Sequence, residues 1–201
     1  MRLQSTSKST VYTAEFPYSF AVRGSYDDAY ATFQASGEDE FLQLLVPRVS
    51  SGSRDYVPMG FVDGDTIISD SAMAVYNAPI WLFGLLQSKL HMVWLRAIGG
   101  KLGTSYRYSA GLVYNTFPVP ELSTKRKGMI EEQVFEILDL REELGGSPAD
   151  LYHRDTMPAS LREAHQKLDQ IVERAYKDTP FTSDEERLSH LLNRYKEMTY
   201  E

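Results

Sequence analysis

Apolar and polar positions along the chain keep one rhythm up to about residue 120 and another beyond it. Phe41-Leu42-Gln43-Leu44-Leu45-Val46-Pro47 is a short apolar run closed by proline, the pattern of a buried strand at its end. Arg48-Val49-Ser50-Ser51-Gly52-Ser53-Arg54-Asp55 follows as a flexible turn, and Tyr56–Val62 resumes the β pattern. Together they predict a hairpin joined by an arginine- and serine-bearing loop. Asp63-Gly64-Asp65 marks another turn, and short strands are expected at Thr66–Ser69 and Ala72–Tyr76. Before this, residues 1–40 carry little regular signal. Phe16, Tyr18 and Phe20 are possible anchors there, and Gly24-Ser25-Tyr26-Asp27-Asp28 reads as a loop or edge. A chain that opens without an evident core element reads as a segment of something longer.

The period then changes from two to about 3.6. Trp81, Leu82, Leu85, Leu86, Leu90, Val93 and Trp94 recur at spacings of three and four, the buried face of one long helix. Asn77-Ala78-Pro79 suits its start, with Asn as N-cap and proline in the first turn, and Gly99-Gly100 its stop. Leu112-Val113-Tyr114 and Phe117 predict one more strand before Pro118 and Pro120. From Glu121 onward only helical periodicity remains. Met129 to Leu140 mark a helix closing at Gly145-Gly146, and Leu161 to Ala175 a second with Pro158 near its start. Thr182-Ser183-Asp184-Glu185-Glu186 is a capped start for a third. The expected fold is α+β: a small mixed β-sheet with one long buried helix, then a C-terminal segment of about three helices. Residues 1–40 form a linker or edge, 41–120 the mixed domain and 121–201 the helical one.

Charge alters this picture more than composition does. The net charge is −7, yet residues 1–120 hold 9 Lys/Arg against 10 Asp/Glu, and residues 121–201 hold 12 against 18. No acidic residue lies between Asp70 and Glu121, a window containing Lys89, Arg96, Lys101 and Arg107. The local field steers a polyanion, so an acidic tail does not exclude nucleic-acid binding by the first part. The absence of cysteine excludes thiolate and disulfide chemistry and fits a cytoplasmic protein. No long apolar run predicts a membrane span, and the first residues lack a signal-peptide core.

Catalytic patterns are missing. There is no phosphate loop of the Walker type, no Gly-x-Ser-x-Gly elbow, and the four histidines show no metal-ligand spacing. No lysine follows an acid by two positions, and the Asn/Asp-Pro-Pro-aromatic loop of DNA amino-methyltransferases is absent. What remains is Lys101-Leu102-Gly103-Thr104-Ser105-Tyr106-Arg107-Tyr108-Ser109. Read for function, it is a groove-reading loop, its cations and hydroxyls suited to base edges and phosphates and its tyrosines to sugars or bases. Read for structure, it is a solvated turn whose tyrosines belong to the core. Arg48, Ser50, Ser51 and Arg54 suit phosphate contacts or an ordinary exposed loop. Arg96 suits a phosphate or the helix C-terminal dipole.

The order of several blocks carries more weight. Leu45-Val46-Pro47-Arg48-Val49-Ser50-Ser51, Tyr56-Val57-Pro58-Met59-Gly60-Phe61, Ile67-Ile68-Ser69-Asp70-Ser71, Phe83-Gly84-Leu85-Leu86, His91–Ala97, Gly100-Lys101-Leu102, Tyr106-Arg107-Tyr108-Ser109 and Tyr114-Asn115-Thr116-Phe117-Pro118 occur in sequence. Together they resemble the C-terminal third of the MmeI-like (Type IIL) restriction–modification polypeptides and related adenine methyltransferases. Asp150-Leu151-Tyr152 and Met157–His165 resemble their closing helical segment. The resemblance implies a target recognition domain for double-stranded DNA followed by a helical tail. The resemblance further implies that this domain serves a methyltransferase domain of the same polypeptide that methylates adenine N6. It places Gly103, Thr104 and Ser105 in the slot where the family varies its base contacts, and with Lys101 and Arg107, whose chemistry suits base edges, they are the expected base readers. Arg48, Ser50, Ser51, Arg54, Arg96, Tyr106, Tyr108 and Ser109 would then meet the DNA backbone. No catalytic residue, metal or cofactor is expected here. S-adenosylmethionine, and Mg2+ where a nuclease domain is present, belong to the parent enzyme. The rival from another class is a protein-interaction module whose acidic helical tail docks a partner, without DNA contact.

Overall fold

The computed structural model describes residues 20–21 and 42–199. The anchor side chains expected at Phe16, Tyr18 and Phe20, and the Gly24–Asp28 segment, lie outside what is described. The first sheet has β2 (Leu42–Pro47) between β5 (Ala72–Tyr76) and β4 (Gly60–Asp63), with β1 (Phe20–Ala21) beyond β5, every pair antiparallel. Leu44 pairs with Phe61 on one side and Val75 on the other, and Leu44, Val46 and Val75 are fully buried.

The β2–β4 pairing expected of the apolar runs is present, but the segment between them is no simple loop. Val49–Ser51 forms β3 and leaves for a second sheet, ordered β3-β7-β6, with β6 at Gly100–Leu102 and β7 at Ser105–Arg107. The strand expected at Thr66–Ser69 does not form. Buried Gln43 donates its side-chain amide to the carbonyls of Asp63, Gly64 and Thr66, which fixes that stretch as a turn, and Ile67 is left 96% exposed.

The long helix is two helices, α1 (Ile80–Leu86) and α2 (Lys89–Ile98). Ser88 causes the break: its hydroxyl accepts from the His91 N–H as the N-cap of α2 and donates to the Leu85 carbonyl at 2.7 Å. Gln87 turns inward and donates to the carbonyl of Val57. Asn77 is not the cap expected of it. It sits at φ 48, and α1 begins after Pro79 with no side-chain cap.

The strand expected around Leu112–Phe117 is also replaced. Ala110–Tyr114 is a single π-helical turn, capped by the Ser109 hydroxyl, with Asn115 N–H donating to the Ala110 carbonyl at 2.9 Å. Val113 and Tyr114 are both fully buried in this turn, while Leu112 beside them is exposed.

The second part follows its periodicity closely. α3 (Thr124–Leu144) ends at Gly145 with φ 65, α4 (Pro148–Leu151) is a single turn, and α5 (Ala159–Tyr176) and α6 (Asp184–Thr199) complete it. The α+β class therefore holds, with two antiparallel sheets and a broken helix in its first half. One buried cluster runs from Leu44 through Trp94 to Ile130, Leu168 and Leu191, so the helices share a core with the sheet layer.

Gly84 sets a tight seam in that core. A Cβ there would lie 2.3 Å from Ile130 Cγ2 and 2.9 Å from Val134 Cγ2, so α1 and α3 approach only because position 84 is bare. Gly84→Val is expected to cost about 1–3 kcal/mol, the usual penalty of overpacking. A urea midpoint equal to that of the unsubstituted chain would show that the seam opens freely.

Candidate nucleic-acid interface

The stretch expected as a reading loop is a β-hairpin. β6 and β7 pair Gly100 with Arg107, Lys101 with Tyr106 and Leu102 with Ser105, leaving Gly103-Thr104 as a two-residue turn. Gly103 has φ 59 while Thr104 is not among the positive-φ residues, the pattern of a type II′ turn with glycine first. Because faces alternate along a strand, Arg107 and Ser105 project from one face of the hairpin, and Tyr106 and its partner Lys101 from the other.

β3 extends the same sheet, pairing Val49 with Arg107, Ser50 with Tyr106 and Ser51 with Ser105. The outer face is thus built from Val49, Arg107 and Gly100 in one row and Ser51, Ser105 and Leu102 in the next. Val49 and Leu102 are exposed there, as is Leu112 from the π turn. Arg48, Val49, Arg107, Ser109, Leu112 and Asp70 border an open groove of about 830 Å³ beside this face. Arg48 is held at its edge through the main chain, its N–H donating to the Ser71 carbonyl at 3.0 Å and its own carbonyl accepting from Tyr108 at 2.8 Å.

The residues singled out from sequence are thereby divided. Lys101, Gly103, Thr104 and Arg107 are exposed on the hairpin, and Ser105 is half-buried at its base. Arg48 and Ser109 share the groove with Arg107, while Ser109 also spends its hydroxyl on the Leu112 N–H. Ser51 is half-buried and bonded to Ser53 at 2.8 Å, and Tyr106 is half-buried against the core.

Four are engaged within the fold, two by burial and two by contacts to the helical half. Ser50 is 1% exposed, since it faces inward beside Tyr106 on the buried side of β3. Tyr108 is 3% exposed, and its hydroxyl shares a 2.7 Å hydrogen bond with His91 Nε2 inside the core. Burial holds the Tyr108 phenol protonated and pushes the His91 imidazole down to about 3, so the pair is neutral. Arg54 donates to the Ala149 carbonyl at 3.2 Å. Arg96 donates to the Arg54 carbonyl and lies 3.8 Å from Asp55 and 3.7 Å from Asp184. These two arginines fasten the sheet-bearing half to the helical half.

Asp55 is the hub of that fastening. It accepts from Arg154 Nε at 3.0 Å and Nη2 at 2.8 Å, and from Arg162 Nη1 at 3.2 Å. Burial raises its carboxyl, but the hydrogen bonds and charges of Arg154 and Arg162 outweigh this and hold it below the usual range. Beside it, Asp169 accepts from the Tyr56 hydroxyl at 2.7 Å and the Lys89 N–H at 2.6 Å. Burial pushes its carboxyl up to about 7. No group of three or more His, Cys, Asp or Glu among the described residues is placed to hold a metal ion. No described helix is long and apolar enough to cross a membrane.

Sequence reasoning passed over Val49, Leu102 and Leu112 on the outer face, and Gly52 beneath the hairpin turn. An apolar residue in a three-residue strand has too short a pattern to reveal which face it takes, and Gly52 read as one more flexible loop residue.

A short antiparallel ribbon, carrying cations and small hydroxyls and held out from a helix-backed core, defines an α+β presentation module. The chain belongs to the MmeI family: residues 1–121 match the MmeI target recognition domain and residues 122–201 the MmeI C-terminal domain. It is 52% identical over 198 residues to DNA methyltransferase A of Bacillus subtilis (strain 168), a match covering 98% of this chain and 21% of that protein. It is also similar to the solved structure of the Type IIL restriction-modification enzyme MmeI in complex with DNA. The TM-score is 0.76 at 40% identity, covering 81% of this chain and 22% of that one. The chain spans about a fifth of the length of these relatives.

Proposed function

We propose that this chain selects the DNA sequence at which an adenine-N6 methyltransferase domain of the same polypeptide acts. The observation that carries the reading is the exposed β6–β7 hairpin, with Arg107 and Lys101 on its opposite faces. It belongs to a chain 40% identical to an enzyme solved with DNA. A major groove about 12 Å wide admits a two-stranded ribbon. Entering edge-on, the ribbon brings both faces to base edges: Arg107 and Ser105 to one side, Lys101 to the other, Gly103 and Thr104 at the deepest point. Arg48, with Ser109 and Ser51, lies where phosphates flank the groove, and Val49, Leu102 and Leu112 are apolar surface suited to thymine methyls.

The methyl donor of the parent enzyme would be S-adenosylmethionine. None of the described strands runs through a glycine-rich turn into a helix, so the residues present do not fit that cofactor. Its binding is assigned to the methyltransferase domain. Mg2+ would enter only with a nuclease domain, and the work of such a parent places it in the cytoplasm.

Arg107→Ala is expected to weaken binding to the preferred duplex by about 1–3 kcal/mol, as for a lost bidentate base contact, with little change on unrelated DNA. Equal loss on all duplexes would make Arg107 a phosphate contact. A salt titration of the unsubstituted chain separates this reading from a protein-interaction module, because phosphate neutralisation gives a steep slope. No binding to any duplex at low salt sinks the DNA reading.

A further inference from the structure

We infer that Gly52 is a positioning residue for the reading hairpin, its bare Cα forming the seat on which the Gly103-Thr104 turn rests. The inference deepens the DNA-reading assignment of that hairpin and rests on it. β3 ends at Ser51, which pairs with Ser105, and the ladder continues one step further than the strand. There the Gly52 N–H donates to the Thr104 carbonyl at 3.1 Å.

A Cβ on Gly52 would stand 2.2 Å from that same carbonyl oxygen, 3.4 Å from its carbon and 3.5 Å from a ring carbon of Tyr106. The atom in the way is main chain and cannot swing aside like a side-chain end. Gly52 does not occupy the left-handed region, so the requirement for glycine is one of space and not of conformation.

The rest of the turn is open. Gly103 and Thr104 are exposed, and nothing lies within 4 Å of where a Cβ on Gly103 would be. Contact with Gly52 is what sets the height of the tip above β3. Any side chain at position 52 must drive the turn outward by roughly 1 Å to restore ordinary contact. Base-edge hydrogen bonds, confined to about 2.7–3.2 Å, do not survive that shift, whereas phosphate contacts by long flexible cations do. Substitution at Gly52 should therefore cost sequence discrimination and spare general DNA affinity.

The test is selection from a pool of short duplexes with a randomised centre, using the chain and its Gly52→Ala variant in parallel. The unsubstituted chain is expected to enrich a defined motif. A folded Gly52→Ala should enrich a relaxed one, losing roughly tenfold in specificity ratio at positions that also respond to Arg107→Ala. Its affinity for the unselected pool should stay within about twofold, and Ser53→Ala should leave the motif unchanged. The same motif at the same strength from folded Gly52→Ala overturns the positioning role. Failure of the unsubstituted chain to enrich any motif overturns the reading assignment and this inference with it. If Gly52→Ala does not fold, amide exchange in the unsubstituted chain decides. Exchange at Gly52 should slow on adding the enriched duplex and not on adding the unselected pool; equal effects overturn the proposal.

Discussion

Trp94→Ala is expected to lower the melting temperature by roughly 10 °C, with the sheet layer and the C-terminal helices melting together. Trp94 is 1% exposed and sits on α2 with its ring 6.4 Å from that of Phe117 and 5.8 Å from that of Tyr195 on α6. Its indole N–H donates to the Thr116 hydroxyl at 3.3 Å, and Thr116 in turn donates to the Leu112 carbonyl at 2.6 Å. Truncation to alanine removes the largest buried side chain and leaves a cavity between two elements that are themselves rigid. About 3–5 kcal/mol is the usual cost of that change. At this chain length each kcal/mol moves the midpoint by about 2–4 °C. The loss of the indole hydrogen bond is secondary, since Thr116 keeps its bond to Leu112. Calorimetry or circular dichroism reads the result. A fall below about 3 °C, or separate transitions for strand and helix signals, would show that Trp94 does not tie the halves together.

That the two halves share one core was not legible in the sequence, although most of their elements were. Helices with a wide apolar stripe announced themselves: Leu161, Leu168 and Val172 predicted α5, and the Ser183 hydroxyl accepts from the Glu186 N–H as the capped start of α6 suggested. The strand β2 was equally plain because its six residues lie in an apolar run closed by proline. Short elements gave no such signal. β3 is three residues of Val-Ser-Ser, indistinguishable from a turn until its partner β7 is known. The π turn was misread because its apolar residues are adjacent in sequence and both buried, a spacing that neither a strand nor an α-helix requires.

The candidate interface divides along the same line. Tyr106 and Tyr108, expected to meet the DNA backbone, instead face inward on and just beyond β7 while Arg107 stays exposed, and Tyr108 is buried. Arg54 and Arg96 could not be told from DNA-binding arginines, because their acceptors Ala149, Asp55 and Asp184 come from other elements brought near only by the fold. A cation's meaning depends on which acid reaches it first. Arg107 stays on the exposed hairpin, while Arg96 is held between two carboxylates in a protein whose helical half is strongly acidic.

Acid should destabilise this chain before most of its carboxylates are neutralised, by roughly 3 kcal/mol between pH 6.5 and 4. Burial pushes the imidazoles of His91 and His165 down to about 3 from a normal 6.5. Each is neutral in a hydrogen bond to a tyrosine hydroxyl, Tyr108 at 2.7 Å and Tyr152 at 2.8 Å. A depressed folded-state pKa gives stability that is full above 6.5 and lost as pH falls toward 3, because the unfolded chain takes up protons the folded chain refuses. Asp169 works in the opposite sense. Its carboxyl, raised to about 7 from 3.8, is protonated when folded and ionised when unfolded across the same window, so it stabilises the folded chain as pH falls. Two histidines against one aspartate leave a net difference of one proton, about 1.4 kcal/mol per pH unit. Against a typical total stability of about 5–15 kcal/mol, that is enough to bring a marginal domain close to unfolding. Urea midpoints measured from pH 7 to 4 should fall accordingly. His165→Gln, which cannot titrate, should remove one proton from the difference and flatten the decline whatever its effect on stability at pH 7. A midpoint that does not change across this window, or a decline as steep in His165→Gln as in the unsubstituted chain, would mean that the buried histidines are not the groups through which acid acts.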